Sequence, residues 1–237
     1  MIRKAHLLPP SETTLLWRFV EDCAPVPSGS GIRLATVESD FDDVDTVWRE
    51  VYGREHGWLP ADAPALHKDR YHPNSAYLIA AAEGHPVGTM RLVVDTPEGL
   101  PIEQFTGIDA LRVDDRRLVE CQRLMVMREY RNRRAPGMPY GVFAALVKGC
   151  LHWCLRHGYS HIVADLFLNT STTPMAPLLA LGFTETGIEF VDSELDEPDR
   201  SVALLLELGE LFSRPFRSTN PFYRYLIEPD TNIAVYS

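Results

Sequence analysis

Positive charge is in short supply in this chain. Its 237 residues include 23 lysines and arginines against 33 aspartates and glutamates, a formal net charge of −10. That balance argues against nucleic acid as the main partner. Cysteine is rarer still. The four present (Cys23, Cys121, Cys150 and Cys154) show no C-x-x-C pair and no framework spacing, which suits a reducing cytosol and makes the cytoplasm the expected compartment. No apolar run approaches the roughly 20 residues that cross a bilayer, so no membrane span is expected. The N-terminus, MIRKAHLLPPSETTLLW, lacks the sustained apolar core and small-residue cleavage site of a secretory signal. His56, His67, His72 and His85 have no ligand spacing with cysteine or carboxylate, and no metal site is expected. Internal repeats and low-complexity tracts are also missing.

What is present reads as one sizeable domain with arms. Residues 1–29 hold one short amphipathic stretch, at 12–22, followed by Pro25, Pro27, Ser28 and Gly29, the signature of an arm and linker. The domain is expected over 30–208. The tail 209–237, with Phe212, Phe216, Phe222, Tyr223 and Tyr225, is aromatic enough to pack back onto it. A first strand is predicted at 31–39 and a helix at 41–52 with Ser39 or Asp40 as N-cap. An irregular, proline- and histidine-rich segment follows. Two apolar runs joined by Glu-Gly-His-Pro predict a hairpin over 75–95. After an excursion over 96–117, the pattern predicts a strand at 119–127, a helix after Pro139 that Gly158 stops, a strand at 161–168, a short helix capped by the run from Asn169, and strands at 183–191 and 201–208. The strands at 119–127 and 161–168 bracket a helix, so they are expected to be parallel neighbours in a right-handed crossover. The fold class is therefore α/β, a mixed, centrally parallel twisted sheet flanked by helices.

The stretch 118–146, LVECQRLMVMREYRNRRAPGMPYGVFAAL, organises this plan. A buried strand runs through a basic loop into a helix N-terminus, where unpaired N–H groups and the positive end of the helix dipole favour an anion. Arg131, Arg133 and Arg134 lie in that loop, so a phosphate-bearing ligand is the natural guest. A solvated basic face is the competing reading. Glu120 and Arg123 are charges on an otherwise apolar strand, and positions three apart on a strand face opposite sides. A direct pair between them needs a bulge.

Several features in this order resemble the GNAT acyltransferase fold: VGTMRLV its central hairpin strand, VMREYRNRR…G its phosphopantetheine strand and loop, and PLLALGF its late helix-to-strand corner. The usual acetyl-coenzyme A loop ends on a small residue where this chain has Pro139, which removes one phosphate-facing N–H and disfavours tight binding of the coenzyme A pyrophosphate. A narrower resemblance covers roughly residues 45–130. Tyr52, Trp58, Asp69, Arg91-Leu92 and Glu120-Cys-Gln-Arg123 follow the pattern of acyl-homoserine-lactone synthases and the related N-acyl amino acid synthases. His72 stands where that pattern has a second acidic residue, which favours the broader N-acyl amino acid group over lactone chemistry.

The resemblance implies an N-acyltransferase. It would take a fatty acyl group from acyl carrier protein, or acyl-CoA, and deliver it to the primary amine of an amino acid or an amine-bearing peptide side chain. No cofactor would be tightly bound; a phosphopantetheine thioester would be the co-substrate. A partly buried Glu120 suits the general base that unmasks the amine, with Arg123, Arg91 and Asp69 as its catalytic companions. Arg91 and Arg123 would bind an acceptor carboxylate or organise the acidic residues. Met125, Val126 and Met127 would bond the pantetheine arm through their backbones, and Arg131, Arg133, Arg134 and Gly137 would meet the phosphate. Tyr52, Trp58, Phe143, Leu166 and Asn169 would touch substrate, although Tyr52, Trp58, Phe143 and Leu166 also read as core residues. The alternatives are an acyl-homoserine-lactone synthase, an acetyl-CoA-dependent GNAT enzyme, or a non-catalytic module that binds acyl carrier.

Overall fold

The computed structural model describes residues 29–60, 62–113, 115–168, 173–196, 199–213, 219–230 and 232–235. The amphipathic stretch at 12–22, the capping run from Asn169, and Phe216 lie outside these residues, as does the side chain of Phe212. In chain order the elements are β1 (Gly31–Leu34), α1 (Glu38–Trp48), β2 (Ser75–Ala82), β3 (His85–Val94), β4 (Leu118–Val126), α2 (Gly141–Arg156), β5 (His161–Phe167), α3 (Met175–Leu181), β6 (Thr184–Phe190), β7 (Ser201–Glu207), α4 (Leu208–Ser213), α5 (Pro221–Ile227) and β8 (Ile233–Ala234). The strands form one sheet in the order β6-β7-β5-β4-β3-β2-β1-β8. Neighbours are parallel at β4–β5 and at β1–β8 and antiparallel elsewhere. The mixed α/β sheet with a central parallel pair, the fold class expected from the sequence, is present.

Local chemistry explains where elements start and stop. The β2–β3 hairpin turns on two residues, Glu83 at φ 53° and Gly84 at φ 83°, the mirror-image turn whose twist matches that of antiparallel strands. The first strand is shorter than predicted because the Asp40 carboxylate takes the N–H groups of Thr36 (2.7 Å) and Val37 (3.1 Å). Helix α1 therefore begins at Glu38 with Val37 as its N-cap, earlier than the predicted cap at Ser39 or Asp40. Past Trp48 the helix widens into π-helical turns from Arg49 to Glu55, so the predicted single helix to residue 52 is two structures. Such widening puts aromatic side chains where regular α spacing would not.

Each face of the sheet carries its own core. On one, α2 packs Leu146, Leu151 and Cys154 against Leu78, Leu92, Val119 and Ile162. Here Gly88 permits close approach: a Cβ on it would lie 2.8 Å from both the Met125 carbonyl oxygen and Val142 Cγ1. Gly158, at φ 71°, ends the α2 turn as predicted. Residues from 219 onward cover the outer side of α2: Lys148 Nζ lies 3.4 Å from Asp230 and 4.2 Å from the Tyr225 ring centre. On the opposite face, α1 and its π-helical extension bury Val44, Val47 and Tyr52 against Tyr77 and Ile79. The excursion 96–117 places Ile102 and Ile108 over Val163 and Phe190.

Candidate active site

The site is made by a fault in the sheet. β4 pairs with β5 only from Leu118↔His161 to Cys121↔Ala164. On its other side it pairs Gln122 with Arg91 and Met125 with Thr89, which sets Arg123 and Leu124 against Met90 alone. This two-against-one arrangement is a β-bulge, and Arg123 takes a left-handed φ of 50° within it. Beyond it the parallel strands part. A cavity of about 800 Å³ fills the gap and reaches the loop before α2, with Leu124, Val126, Val142, Phe143, Ala164, Leu166 and Phe167 among its lining residues. Its volume lies in the range of ligand sites, and its walls are mainly apolar with a few polar groups.

The bulge also turns Arg123 to the same face as Glu120 and Gln122, resolving the parity problem posed by their spacing. There a small cleft of about 10 Å³ is lined by Ile102, Phe105, Glu120, Gln122, Arg123, Asp165, Phe190, Asp192 and Glu194, with Pro101. Gln122, Arg123 and Asp165 line both this cleft and the large cavity, so they form the wall between them. Glu120 itself faces only the cleft. Its Oε2 accepts the Ile102 N–H at 3.0 Å and its Oε1 the Gln122 side-chain amide at 3.4 Å. Burial, reinforced by nearby Asp165 and opposed by the Ile102 N–H, pushes the Glu120 carboxyl up to about 8. Burial pushes Asp165 up to about 6, with Arg123 opposing and Asp192 adding to the rise. Two carboxyls whose affinities for a proton lie near neutrality thus flank the opening between the strands.

The expected catalytic four separate into two pairs. Arg123 joins Glu120 at the cleft, donating to Asp192 at 2.8 Å and Glu194 at 3.4 Å. Arg91 and Asp69 line neither space. Arg91, 1% exposed, gives Nη1 and Nη2 to the Asp69 oxygens at 2.5 and 2.6 Å and Nε to Ser75 Oγ at 3.0 Å. Asp69 also accepts the Tyr71 N–H at 2.9 Å, tying the irregular segment to β3. Tyr52 and Trp58 line the cavity, their rings 5.2 Å apart, and Trp58 sits 4.9 Å from Phe167. Phe143 and Leu166 line it too, while Asn169 lies outside the described residues.

On the strand expected to meet pantetheine, Met127 gives its N–H to the Val87 carbonyl at 2.9 Å. By the alternation of an antiparallel ladder, Met125 also turns its backbone toward β3, leaving Leu124 and Val126 to face the gap. The Val126 carbonyl accepts Arg131 Nε at 2.8 Å, and the rest of that guanidinium grips Glu55 at 2.6 and 2.8 Å. Arg131 thus bolts the π-helical turn to the basic loop. Arg133, over the Tyr130 ring at 4.4 Å, and Arg134 are exposed at the cavity mouth. Gly137 instead backs onto Ser30 and Asn232 and lines no part of the cavity.

Sequence reasoning missed Asp165, Gln122 and Asp192. Asp165 carried the same signal as Glu120, a charge inside an apolar strand (HIVADLFL). Asp192 belongs to the acidic stretch EFVDSELDEPD, where nothing singles it out, yet it is 3% exposed. Cys121 faces α2 rather than Glu120; hydrogen bonding to Cys150, then burial, hold its thiol above the ordinary range, so it offers no nucleophile.

A model of the family of N-acyl amino acid synthase FeeM matches residues 44–166. No curated protein matches the chain. Among solved structures, FeeM, an N-acyl amino acid synthase from uncultured soil microbes, shares the fold at 16% identity and a TM-score of 0.59, over 82% of this chain and 96% of that one. A CoA-dependent acyl-homoserine lactone synthase, BjaI, solved with SAM and isopentyl-CoA, does so at 17% and 0.60, over 86% and 92%. An N-acetyltransferase from Staphylococcus aureus Mu50 aligns at 14% and 0.53, over 76% and 99%.

Proposed function

The chain belongs to the N-acyl amino acid synthase FeeM family and is an acyltransferase; on that premise we propose that it moves a fatty acyl group from a phosphopantetheine thioester, carried by acyl carrier protein or coenzyme A, to the primary amine of an amino acid or an amine-bearing peptide side chain. The observation that carries this reading is the parting of β4 and β5 around an apolar cavity, with titratable carboxyls on the far side of a shared wall. The thioester enters between the strands with its acyl chain against Phe143, Ala164 and Leu166. The N–H of Val126, facing the gap, is placed to bond the thioester oxygen as negative charge develops on it.

The amine approaches as an ammonium on the cavity side of the wall formed by Gln122, Arg123 and Asp165. Asp165, which lines the cavity, or Glu120 behind it through a water in the cleft, takes one proton, and the freed lone pair attacks the carbonyl carbon. The tetrahedral intermediate collapses: the C–N bond is kept, the C–S bond breaks, and the thiolate leaves with the second amine proton as a thiol. No acyl-enzyme is needed. Exposed Arg133 and Arg134 favour a donor with one phosphate on an acidic carrier protein. Pro139, lacking an N–H, weakens a pyrophosphate cradle. No helix among the described residues is long and apolar enough to cross a membrane, and a cytoplasmic site of action beside the carrier protein completes the proposal.

Thiol release from acyl carrier protein and from coenzyme A thioesters, followed with a thiol-reactive dye in the presence of amines, tests it. Turnover with the carrier-protein donor exceeding that with acetyl-coenzyme A is expected. A preference for acetyl-coenzyme A would place the chain with ordinary acetyltransferases, and amine-independent binding alone would make it a carrier-binding module.

A further inference from the structure

Arg131 lies in the basic loop, where the sequence suggests a phosphate contact, yet all three of its side-chain nitrogens are engaged within the fold. Nε donates to the Val126 carbonyl at 2.8 Å, and Nη1 and Nη2 donate to the two Glu55 oxygens at 2.6 and 2.8 Å. The paired side chains are only 22% and 17% exposed. A planar fork met by a carboxylate in this way is among the stronger and more directional ion pairs. A phosphate at the same place would sit beside the Glu55 carboxylate. Pulling Arg131 away to meet it would leave that largely buried carboxylate unpaired. What the pair holds is the wall of the cavity. Val126 ends β4 with its backbone toward the gap, so Arg131 takes the carbonyl that β5 would bond in an unbroken parallel pair. Glu55 ends the π-helical turns that carry Tyr52. His56 follows it and stacks on Trp58 with ring centres 4.0 Å apart, and Tyr52, His56 and Trp58 all line the cavity. The Trp58 carbonyl in turn accepts the Asp196 N–H at 2.8 Å.

Resting on the acyltransfer reading, we infer that Arg131 and Glu55 are positioning residues for acyl transfer: they hold Val126 and the wall of Tyr52, His56 and Trp58 in place across the open gap, and they bind no phosphate themselves. With its carbonyl fixed, Val126 keeps its N–H aimed at the thioester oxygen. The aromatic wall, held to the same strand end, keeps water from the reacting carbon. Displacing reacting groups by about 1 Å can cost on the order of 10²-fold in rate, so loosening this tie falls on kcat. Exposed Arg133 and Arg134 remain at the cavity mouth to meet the donor's phosphate.

The test is steady-state kinetics with one acyl group on two donors, acyl carrier protein and acyl-pantetheine, the second lacking the phosphate. Arg131→Ala and Glu55→Gln are each expected to lower kcat by about tenfold or more with both donors, with KM for the carrier protein little changed. Arg131→Lys keeps the charge but not the fork, and is expected to fall as Arg131→Ala does. Once Arg131→Ala is made, adding Glu55→Gln should cost less than about twofold more, the non-additivity of two residues that act as a unit. Glu55→Gln, which preserves shape, carries the test where Arg131→Ala does not fold. Restored activity in Arg131→Lys would make Arg131 a phosphate ligand and overturn the inference. A defect confined to a raised KM for the carrier protein, and absent with acyl-pantetheine, would do the same. A lowered melting temperature with kcat intact would mark a merely structural tie and also overturn it. Thioester turnover missing from the parent enzyme with every amine and donor would instead sink the acyltransferase reading on which the inference stands.

Discussion

At the scale of single residues the proposed chemistry rests on Glu120, and its pH behaviour would be the signature. As general base it acts only when ionised, so kcat/KM should climb with pH on a limb near 8, the value to which burial raises it. Glu120→Gln should cost roughly 10²–10⁴ in kcat/KM and abolish that limb; a pH–rate profile checks both. Stability carries the opposite trend. The folded carboxyl holds its proton up to about 8, whereas the unfolded one releases it near 4.5. Its contribution is therefore complete below 4.5 and lost as pH rises through 8. Melting temperatures of Glu120→Gln relative to the parent should rise between about pH 5 and pH 9. By contrast, Cys121→Ala should leave turnover largely unchanged, because the thiol faces α2 and is bonded to Cys150. A loss comparable to that of Glu120→Gln would contradict direct attack by the amine.

Between elements, the decisive relation is the spacing of β4, β5 and α2. Gly88 sets how closely α2 rides over the strands, and a methyl group there meets the Met125 carbonyl and Val142 at 2.8 Å. Gly88→Ala should lower stability by roughly 1–3 kcal/mol, the usual cost of overpacking, read as a shift in urea midpoint at constant slope. Ala164 sits where the strands begin to part. Ala164→Phe should shorten the preferred acyl chain, reducing kcat/KM for palmitoyl donors while sparing butyryl ones, as a donor-length series would report. The elements up to β7 were legible in the sequence because hairpin, helix and parallel strands each carry a local pattern, whereas α4, α5 and β8 were not predicted. The bulge was legible only as a conflict: Glu120 and Arg123 cannot share a face on a regular strand, and the left-handed Arg123 is how the chain resolves it. The π-helical turn was not legible, since Trp48, Val51 and Tyr52 satisfy α spacing equally well until the partners at β2 are known.

Across the whole molecule, charge is what the sequence shows in aggregate and the fold distributes. A chain of net charge −10 presents exposed Arg133 and Arg134 at the cavity mouth and gathers carboxyls at the adjoining cleft. Within the acidic run at 189–199, Asp192 is buried and pairs with an arginine 69 residues earlier, a distance over which sequence pattern gives no guidance. Charge reversal at Arg133 and Arg134 to glutamate should raise KM for acyl carrier protein and leave acyl-pantetheine, which lacks both phosphate and protein, unaffected. Steady-state kinetics with the two donors would show the split. The most direct measurement is a structure with a non-reactive amide analogue of acyl-phosphopantetheine. The acyl chain is expected between β4 and β5 against Ala164 and Leu166, with the amide oxygen at the Val126 N–H. An acyl chain lodged elsewhere, with the gap between those strands left empty, would contradict the assignment of this cavity as the place where the acyl group changes hands.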